Sequence, residues 1–212
     1  MVMGCDMKKN ITKEQIIDTV LELLKDNNNV ESLNFREIAR TLGCAHTNLY
    51  NYFPSYKDLL WESHSSILLR FINTLREKFD VNLPPKNQLT VFFEIIINMY
   101  MDNQGWFRLS WHEYIKGTRP EKDINMARTA NDVLSNYAMQ ICQNLFAYCP
   151  DKNTVKQVLH NTHCYIIGEI SNYLLDRGII KDEQLLRKYM LSESVSMFQF
   201  CLLGKQQDGV NL

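Results

Sequence analysis

The stretch from Asn34 to Leu60, NFREIARTLGCAHTNLYNYFPSYKDLL, constrains the fold more than any other part of the chain. Asn34 is a good helix N-cap, and Glu37 three residues later is its capping-box partner. Phe35, Ile38, Ala39 and Leu42 then set one apolar stripe on a short helix. Gly43 follows where a C-cap needs a left-handed backbone. A second short helix is predicted over Ala45–Tyr52, with Ala45, Leu49 and Tyr52 inward and His46, Thr47, Asn48, Tyr50 and Asn51 outward. Pro54 stops it, and Ser55 with Asp58 caps the next helix. Two short helices joined at a glycine, the second showing hydrogen-bonding side chains, make a helix-turn-helix.

On these residues the chain resembles the TetR family of transcriptional regulators. Ile38-Ala39, Leu42-Gly43, Leu49-Tyr50, Tyr52-Phe53-Pro54 and Leu59 match its DNA-binding signature, which here begins at Thr12. The rest of the chain is similar to the family only in length and helical pattern. The resemblance implies a homodimer that binds double-stranded DNA at a palindromic operator, with a variable C-terminal domain for a small ligand. Two positions depart from the pattern. Ala45 stands where a small hydroxyl residue usually opens the recognition helix. Tyr56 stands where a phosphate-binding Lys usually follows the Phe-Pro-x turn, with Lys57 one place later. The candidate DNA contacts are Asn34, Arg36, His46, Thr47, Asn48, Tyr50, Asn51, Tyr56 and Lys57. His46, Asn48 and Asn51 suit base edges, and Arg36 a guanine or a phosphate; Thr47, Tyr50 and Lys57 suit phosphates.

Charge alone does not advertise nucleic acid, since the 212 residues carry a net charge of −1. Over residues 1–60, Lys8, Lys9, Lys13, Lys25, Arg36, Arg40 and Lys57 face Asp6, Glu14, Asp18, Glu22, Asp26, Glu31, Glu37 and Asp58. Only placement favours DNA: most acids fall on the first helix and its loop, while Arg36, Arg40 and Lys57 lie on the elements expected to face DNA. Six cysteines with no CxxC pair indicate free thiols in a reducing compartment. The opening MVMGCDMKKN lacks the apolar core of a signal peptide, and Val91–Ile97 is too short for a membrane span. A cytoplasmic protein without a membrane partner is expected.

The remaining pattern predicts an all-α chain of about nine helices, with an N-terminal three-helix DNA-binding domain over 1–55 and a C-terminal helical bundle for ligand and dimer contacts over 56–212. Thr12 and Gln15 form a capping box for a helix to Asp26, followed by the Asn27–Asn29 turn. A longer helix runs from Ser55 to Phe79, then a break at Asn82–Lys86. Asn87 caps a fifth helix that is apolar nearly all round and so lies inside the bundle, with Thr90, Glu94, Asn98 and Asp102 as a narrow wet stripe. An aromatic helix follows over Trp106–Lys116, then one capped by Thr118 and Glu121 that ends near Tyr148. The last two helices run from Asp151 to Leu175 and from Asp182 to Leu203.

His64, Phe71, Trp106, Trp111, His112 and Tyr137 are the candidates for a pocket taking a small hydrophobic effector, though an ordinary core has the same composition. Ile166, Ile167, Ile170, Met197 and Phe198 are the candidates for the dimer contact. His160, His163 and Cys164 share a helical face at metal-binding spacing, but helix packing is the preferred reading and no metal or other cofactor is expected. Cys44, at the turn, is the thiol whose oxidation would block DNA most directly; an inert role is preferred. No phosphate loop, Gly-x-Ser-x-Gly or His-Glu-x-x-His motif suggests an enzyme. The expected function is a ligand-responsive regulator, a repressor released from its operator by a hydrophobic effector. The alternative is an interaction protein of the same fold whose partner is an accessory protein.

Overall fold

The computed structural model describes residues 11–25, 30–146 and 150–208. The expected Asn27–Asn29 turn, the helix end at Tyr148, and Cys5 and Cys149 lie outside them. Among the described residues the α-helices are α1 (Lys13–Lys25), α2 (Phe35–Leu42), α3 (Tyr56–Lys78), α4 (Pro85–Met101), α5 (Gln104–Trp111), α6 (Glu121–Leu145), α7 (Lys152–Leu174) and α8 (Glu183–Asp208). Short 3₁₀ segments occupy Val30–Ser32 and His46–Asn51, and no strand occurs among the described residues.

Local chemistry accounts for most of the helix starts. The Thr12–Gln15 capping box closes in both directions, at 3.0 and 3.2 Å. The Asn34 carbonyl oxygen of the side chain accepts from the Arg36 and Glu37 amides at 3.0 and 3.2 Å, which satisfies two otherwise orphaned donors of α2. Glu37 does not complete the box; its carboxylate lies 3.9 Å from Arg40 instead. Gly43 at φ +69° ends α2 in the left-handed region, where a side chain is strained. Ser55 accepts from the Asp58 amide to start α3, and Asp151 accepts from Asn153 and Thr154 to start α7.

Four starts differ from expectation, the simplest being α5, which opens at Gln104 rather than Trp106 and ends at Trp111 rather than Lys116. Pro85 rather than Asn87 opens α4, because a proline at N1 has no amide to leave unpaired. Pro120 precedes α6 without any side-chain cap, so the Thr118–Glu121 box does not form. The recognition element is 3₁₀ over His46–Asn51, not an α-helix over Ala45–Tyr52. Ala45 has no side chain to cap with, and the segment closes tighter bonds such as Asn48 N–H to the Ala45 carbonyl at 3.0 Å. Ala45 is exposed rather than inward, and Pro54 leaves no room for a longer helix to form.

α3 packs along α6, α7 along α8, and α4 sits between α6 and α8. α4 is the apolar centre: Phe92, Phe93, Ile96 and Ile97 are buried while Glu94 and Asp102 face outward. Phe93 meets Phe198 of α8 edge-on at 5.5 Å. The N-terminal helices are not a separate bead. Their core of Ile16, Val20, Leu24, Ile38 and Leu49 is continuous with that of the bundle through Leu59 of α3. The Trp106 Nε1–H of α5 donates to the Leu21 carbonyl of α1 at 2.7 Å in the interior. Glu62 of α3 holds both Lys13 of α1, at 2.9 Å, and Lys122 of α6, at 2.7 Å. No helix among the described residues is long and apolar enough to cross a membrane.

Replacing Trp106 by Phe keeps most of the buried ring and removes the bond to α1. Urea unfolding is expected to show a loss of about 1 kcal/mol, the typical net worth of one buried hydrogen bond.

Candidate nucleic-acid interface and ligand cavity

Leu49 and Phe53 are almost fully buried, and they anchor the recognition segment from beneath. His46, Thr47, Asn48, Tyr50 and Asn51 are all exposed around that anchor. Tyr52 is half-buried and its hydroxyl donates to the Ile11 carbonyl, tying the segment to the approach to α1. Tyr50 leans edge-on against Phe35 at 4.9 Å, which orients its ring while leaving it solvent-accessible. Arg36, Arg40 and Lys57 are exposed, whereas Asp18 of α1 is paired with Arg70 and Asp58 with Ser55. Arg36, Arg40 and Lys57 thus present positive charge to solvent, as Glu14 and Glu22 of α1 present negative charge.

Two candidates change role. Asn34 uses its amide within the chain, accepting from α2 and donating to the Ser32 carbonyl at 3.3 Å. Tyr56 packs edge-on against Phe35 at 5.8 Å, and its hydroxyl is buried without a hydrogen-bond partner among the described residues. Burial, then Glu113 and Glu37 nearby, push that phenol well above its ordinary range. Tyr56 is thus a packing residue, and Lys57 is the exposed cation of the turn. A Cβ added to Gly117, at φ +95°, would come within 3.2 Å of Lys57 Nζ. The loop between α5 and α6 therefore lies directly against this lysine.

The same loop borders a cavity of about 360 Å³ between α3, α5, α6 and α7. That volume is at the small end of the range of about 300–1,000 Å³ that holds small ligands. Of the six expected residues, His64, Phe71, Trp106 and Trp111 line it. Tyr137 does not, because it lies against Phe79 at 4.9 Å. His112 does not either: α5 stops at Trp111, and His112 meets Ser171 Oγ at 3.0 Å. Tyr100, Arg119 and His163 line the cavity and were not anticipated. Phe71 stacks on Tyr100 at 6.3 Å, Tyr100 stacks on His163 at 5.8 Å, and Trp111 meets His163 edge-on at 5.6 Å. Tyr100 OH and His163 Nε2 share a hydrogen bond of 2.9 Å.

At the end of the cavity nearest the helix-turn-helix is a buried carboxylate. Asp123, with its side chain 1% exposed, takes His64 Nδ1 at 2.8 Å, Ser65 Oγ at 2.7 Å and Arg119 Nε at 2.6 Å. Burial acts to raise its pKa, but those three donors outweigh it and hold the carboxyl below its ordinary 3.8.

His163 faces Tyr100 while His160 Nε2 lies 3.6 Å from Cys164, so the helical triple of sequence candidates is divided, and no metal-ligand cluster occurs among the described residues. Cys44 is half-buried, and desolvation pushes its thiol up, away from the reactive thiolate form. Ile166, Ile170 and Phe198 are completely buried in the chain's own core and have no surface for a partner; Ile167 and Met197 are half-buried. The outward apolar stripe of α8 is instead Leu185, Tyr189, Phe200 and Leu203, with Phe200 77% exposed and the small Ser192 and Ser196 between.

No family model matches this chain. Its fold is that of TetR-type regulators. A crystal structure of the transcriptional regulator FadR from Bacillus subtilis, in complex with stearoyl-CoA, superposes with a TM-score of 0.64 at 15% identity, covering 90% of this chain and 98% of that one. The TetR-family regulator PfmR from Thermus thermophilus gives 0.60 at 17% identity, over 87% and 97%. The HTH-type transcriptional regulator LuxR of Vibrio harveyi is 22% identical over 109 residues, which span 51% of this chain and 52% of that regulator.

Burial, then the nearby His160, holds the His163 pKa down at about 4 from an ordinary 6.5. Between those values the unfolded chain takes up a proton that the folded chain refuses, so stability falls as pH drops from about 6.5 to about 4. At about 1.4 kcal/mol per unit the loss is a few kcal/mol at most. His163→Gln should flatten the dependence of melting temperature on pH across this window, leaving the acid limb below 3.8, to which Asp123, Asp132, Asp151 and Asp176 contribute.

Proposed function

We propose that this chain, on a fold it shares with TetR-family regulators, is a DNA-binding transcriptional repressor whose hold on an operator is relaxed by a small apolar ligand. The observation that carries the reading is the row of five exposed polar residues, His46 to Asn51, fixed by the buried Leu49. In a 3₁₀ segment, residues three apart stand in one row about 6 Å apart. Asn48 and Asn51 form such a row, and its spacing is close to two base steps of about 3.4 Å. Asparagine pairs bidentately with adenine in the major groove. His46 and Arg36 flank the row as further base or phosphate contacts, and Thr47, Tyr50 and Lys57 hold the backbone. The protein acts in the cytoplasm, as a binding protein rather than an enzyme.

The cavity supplies the ligand site; FadR, of the same fold, likewise holds a ligand, stearoyl-CoA. Its wall includes Glu113, Ile115 and Arg119, on or just after the loop that touches Lys57 through Gly117. A ligand that fits the cavity better when this loop shifts would bias the population away from the DNA-competent state.

Two-fold symmetry completes the reading, because a palindrome needs recognition elements about 34–36 Å apart or a multiple of that. The stripe Leu185, Tyr189, Phe200 and Leu203 on α8, beside the half-buried Ile167 on α7, meets its own copy as a four-helix contact.

A gel shift with sheared genomic DNA, followed by sequencing of the bound fragments, tests the function; a protein that retains no fragment at low salt is not this regulator. On a selected site, Asn51→Ala should cost about 1–3 kcal/mol at one base position. Lys57→Ala should instead weaken every sequence alike and lower the salt slope by about one. Tyr189→Glu with Phe200→Glu should sediment as a folded monomer with much reduced operator affinity, whereas Ile166→Glu should unfold the chain.

A further inference from the structure

We infer that the ligand of this cavity is an amphipathic carboxylate, its acid group seated among Trp61, His64 and Arg119 and its apolar body against Phe71, Leu109 and Leu134. This rests on the reading of the cavity as the effector site and specifies the chemistry that site takes. The polar groups at this end are donors. Arg119 lies over the Trp61 ring, with its guanidinium carbon 5.6 Å from the ring centroid, and His64 meets the same ring edge-on at 6.0 Å. Arg119 commits Nε to Asp123, and its two terminal nitrogens meet no acceptor among the described residues. The Trp61 Nε1–H is buried with no partner there either. An unmatched buried donor is costly, and a ligand oxygen is the group that satisfies it. His64 gives Nδ1 to Asp123, so its Nε2 remains for the ligand.

Charge selects among acceptors. Arg119 is the one Arg or Lys lining the cavity among the described residues, and a planar guanidinium matches a carboxylate bidentately. A cationic head finds no comparable seat. Asp123 is already met by three donors and lies outside the cavity lining, and Glu113 carries interactions of its own within the chain. A cavity of about 360 Å³ suits a medium-length chain or two rings but leaves no room for a nucleotide headgroup. A free acid is therefore favoured over a thioester.

The test is calorimetric titration of the full chain at neutral pH with two carboxylates, decanoate and 4-phenylbenzoate, against decan-1-ol, 4-biphenylmethanol, decylamine and decanoyl-CoA. At least one carboxylate should bind about tenfold or more tighter than its own alcohol, the effect of one charge-assisted pair. Which carboxylate wins tells a flexible body from a rigid aromatic one. Arg119→Gln should erase the preference while leaving alcohol affinity within about twofold, and Arg119→Lys should restore part of it. If Arg119→Gln fails to fold, Trp61→Phe, which keeps the ring under Arg119, should still weaken the carboxylate several-fold and spare the alcohol. Equal affinity for acid and alcohol in the native chain, tighter binding of decylamine or of the thioester, or equal loss for acid and alcohol in the variants overturns the inference. The titration uses no DNA, so a chain that prefers carboxylates yet retains no genomic fragment fails as a regulator and keeps its ligand class.

Discussion

Helix α3 is the constraint on which the rest of the molecule depends. It runs unbroken for 23 residues, about 34 Å at 1.5 Å per residue, from the Ser55 cap beside the His46–Asn51 segment to the solvent-exposed Lys78 at its far end. One end carries Leu59 under the helix-turn-helix, the middle carries His64 and Phe71 on the cavity wall, and the far end carries Leu75 in the core. A helix without proline or glycine does not hinge in its interior. Any change in how its middle packs is therefore delivered to its first turn as a rigid displacement. Glu62 sharpens this coupling, because one carboxylate grips both α1 and the start of α6.

The Asp123 cluster governs where that rod can sit. Burying a carboxylate is unfavourable by several kcal/mol unless donors compensate it, and here they come from α3 and from the approach to α6. The arrangement contributes register more than net stability. A slide of α6 along α3 by one residue would part Asp123 from His64 and Ser65 together, so the two helices meet in one alignment. The position of Arg119 at the cavity follows from that alignment, since its Nε shares the same carboxylate.

Legibility in the sequence followed the range of the interaction. Asn34, Gly43, Ser55 and the Thr12–Gln15 box were readable because a cap is decided within four residues. A short helical segment was expected where His46–Asn51 lies, but its 3₁₀ geometry reflects a missing cap at Ala45 working with Pro54, a balance that periodicity does not register. The cavity was half visible. Phe71, Trp106 and Trp111 stand out as large apolar residues, whereas Tyr100, Arg119 and His163 come together from α4, the loop before α6 and α7. No single stretch announces that meeting. Tyr137 and three of the dimer candidates, Ile166, Ile170 and Phe198, point inward for one reason, helical phase. Ile166, Ile170 and Phe198 share their rows with Thr162 and Ser194, which face the chain's own interior. Only the packing of α7 on α8 tells that row from the outward one.

All three tryptophans of the chain, Trp61, Trp106 and Trp111, border the one cavity. They sit in different electrical surroundings: Trp61 under a guanidinium with an unmatched N–H, Trp106 bonded to the Leu21 carbonyl, and Trp111 partly exposed beside His163. Indole emission shifts with local polarity and is quenched by neighbouring protonated imidazole. The tryptophan fluorescence of this protein, excited at the red edge where tyrosine does not absorb, is thus the fluorescence of its cavity wall. Whatever enters the cavity replaces water or empty space beside each emitter, so occupancy is written into the spectrum without a label.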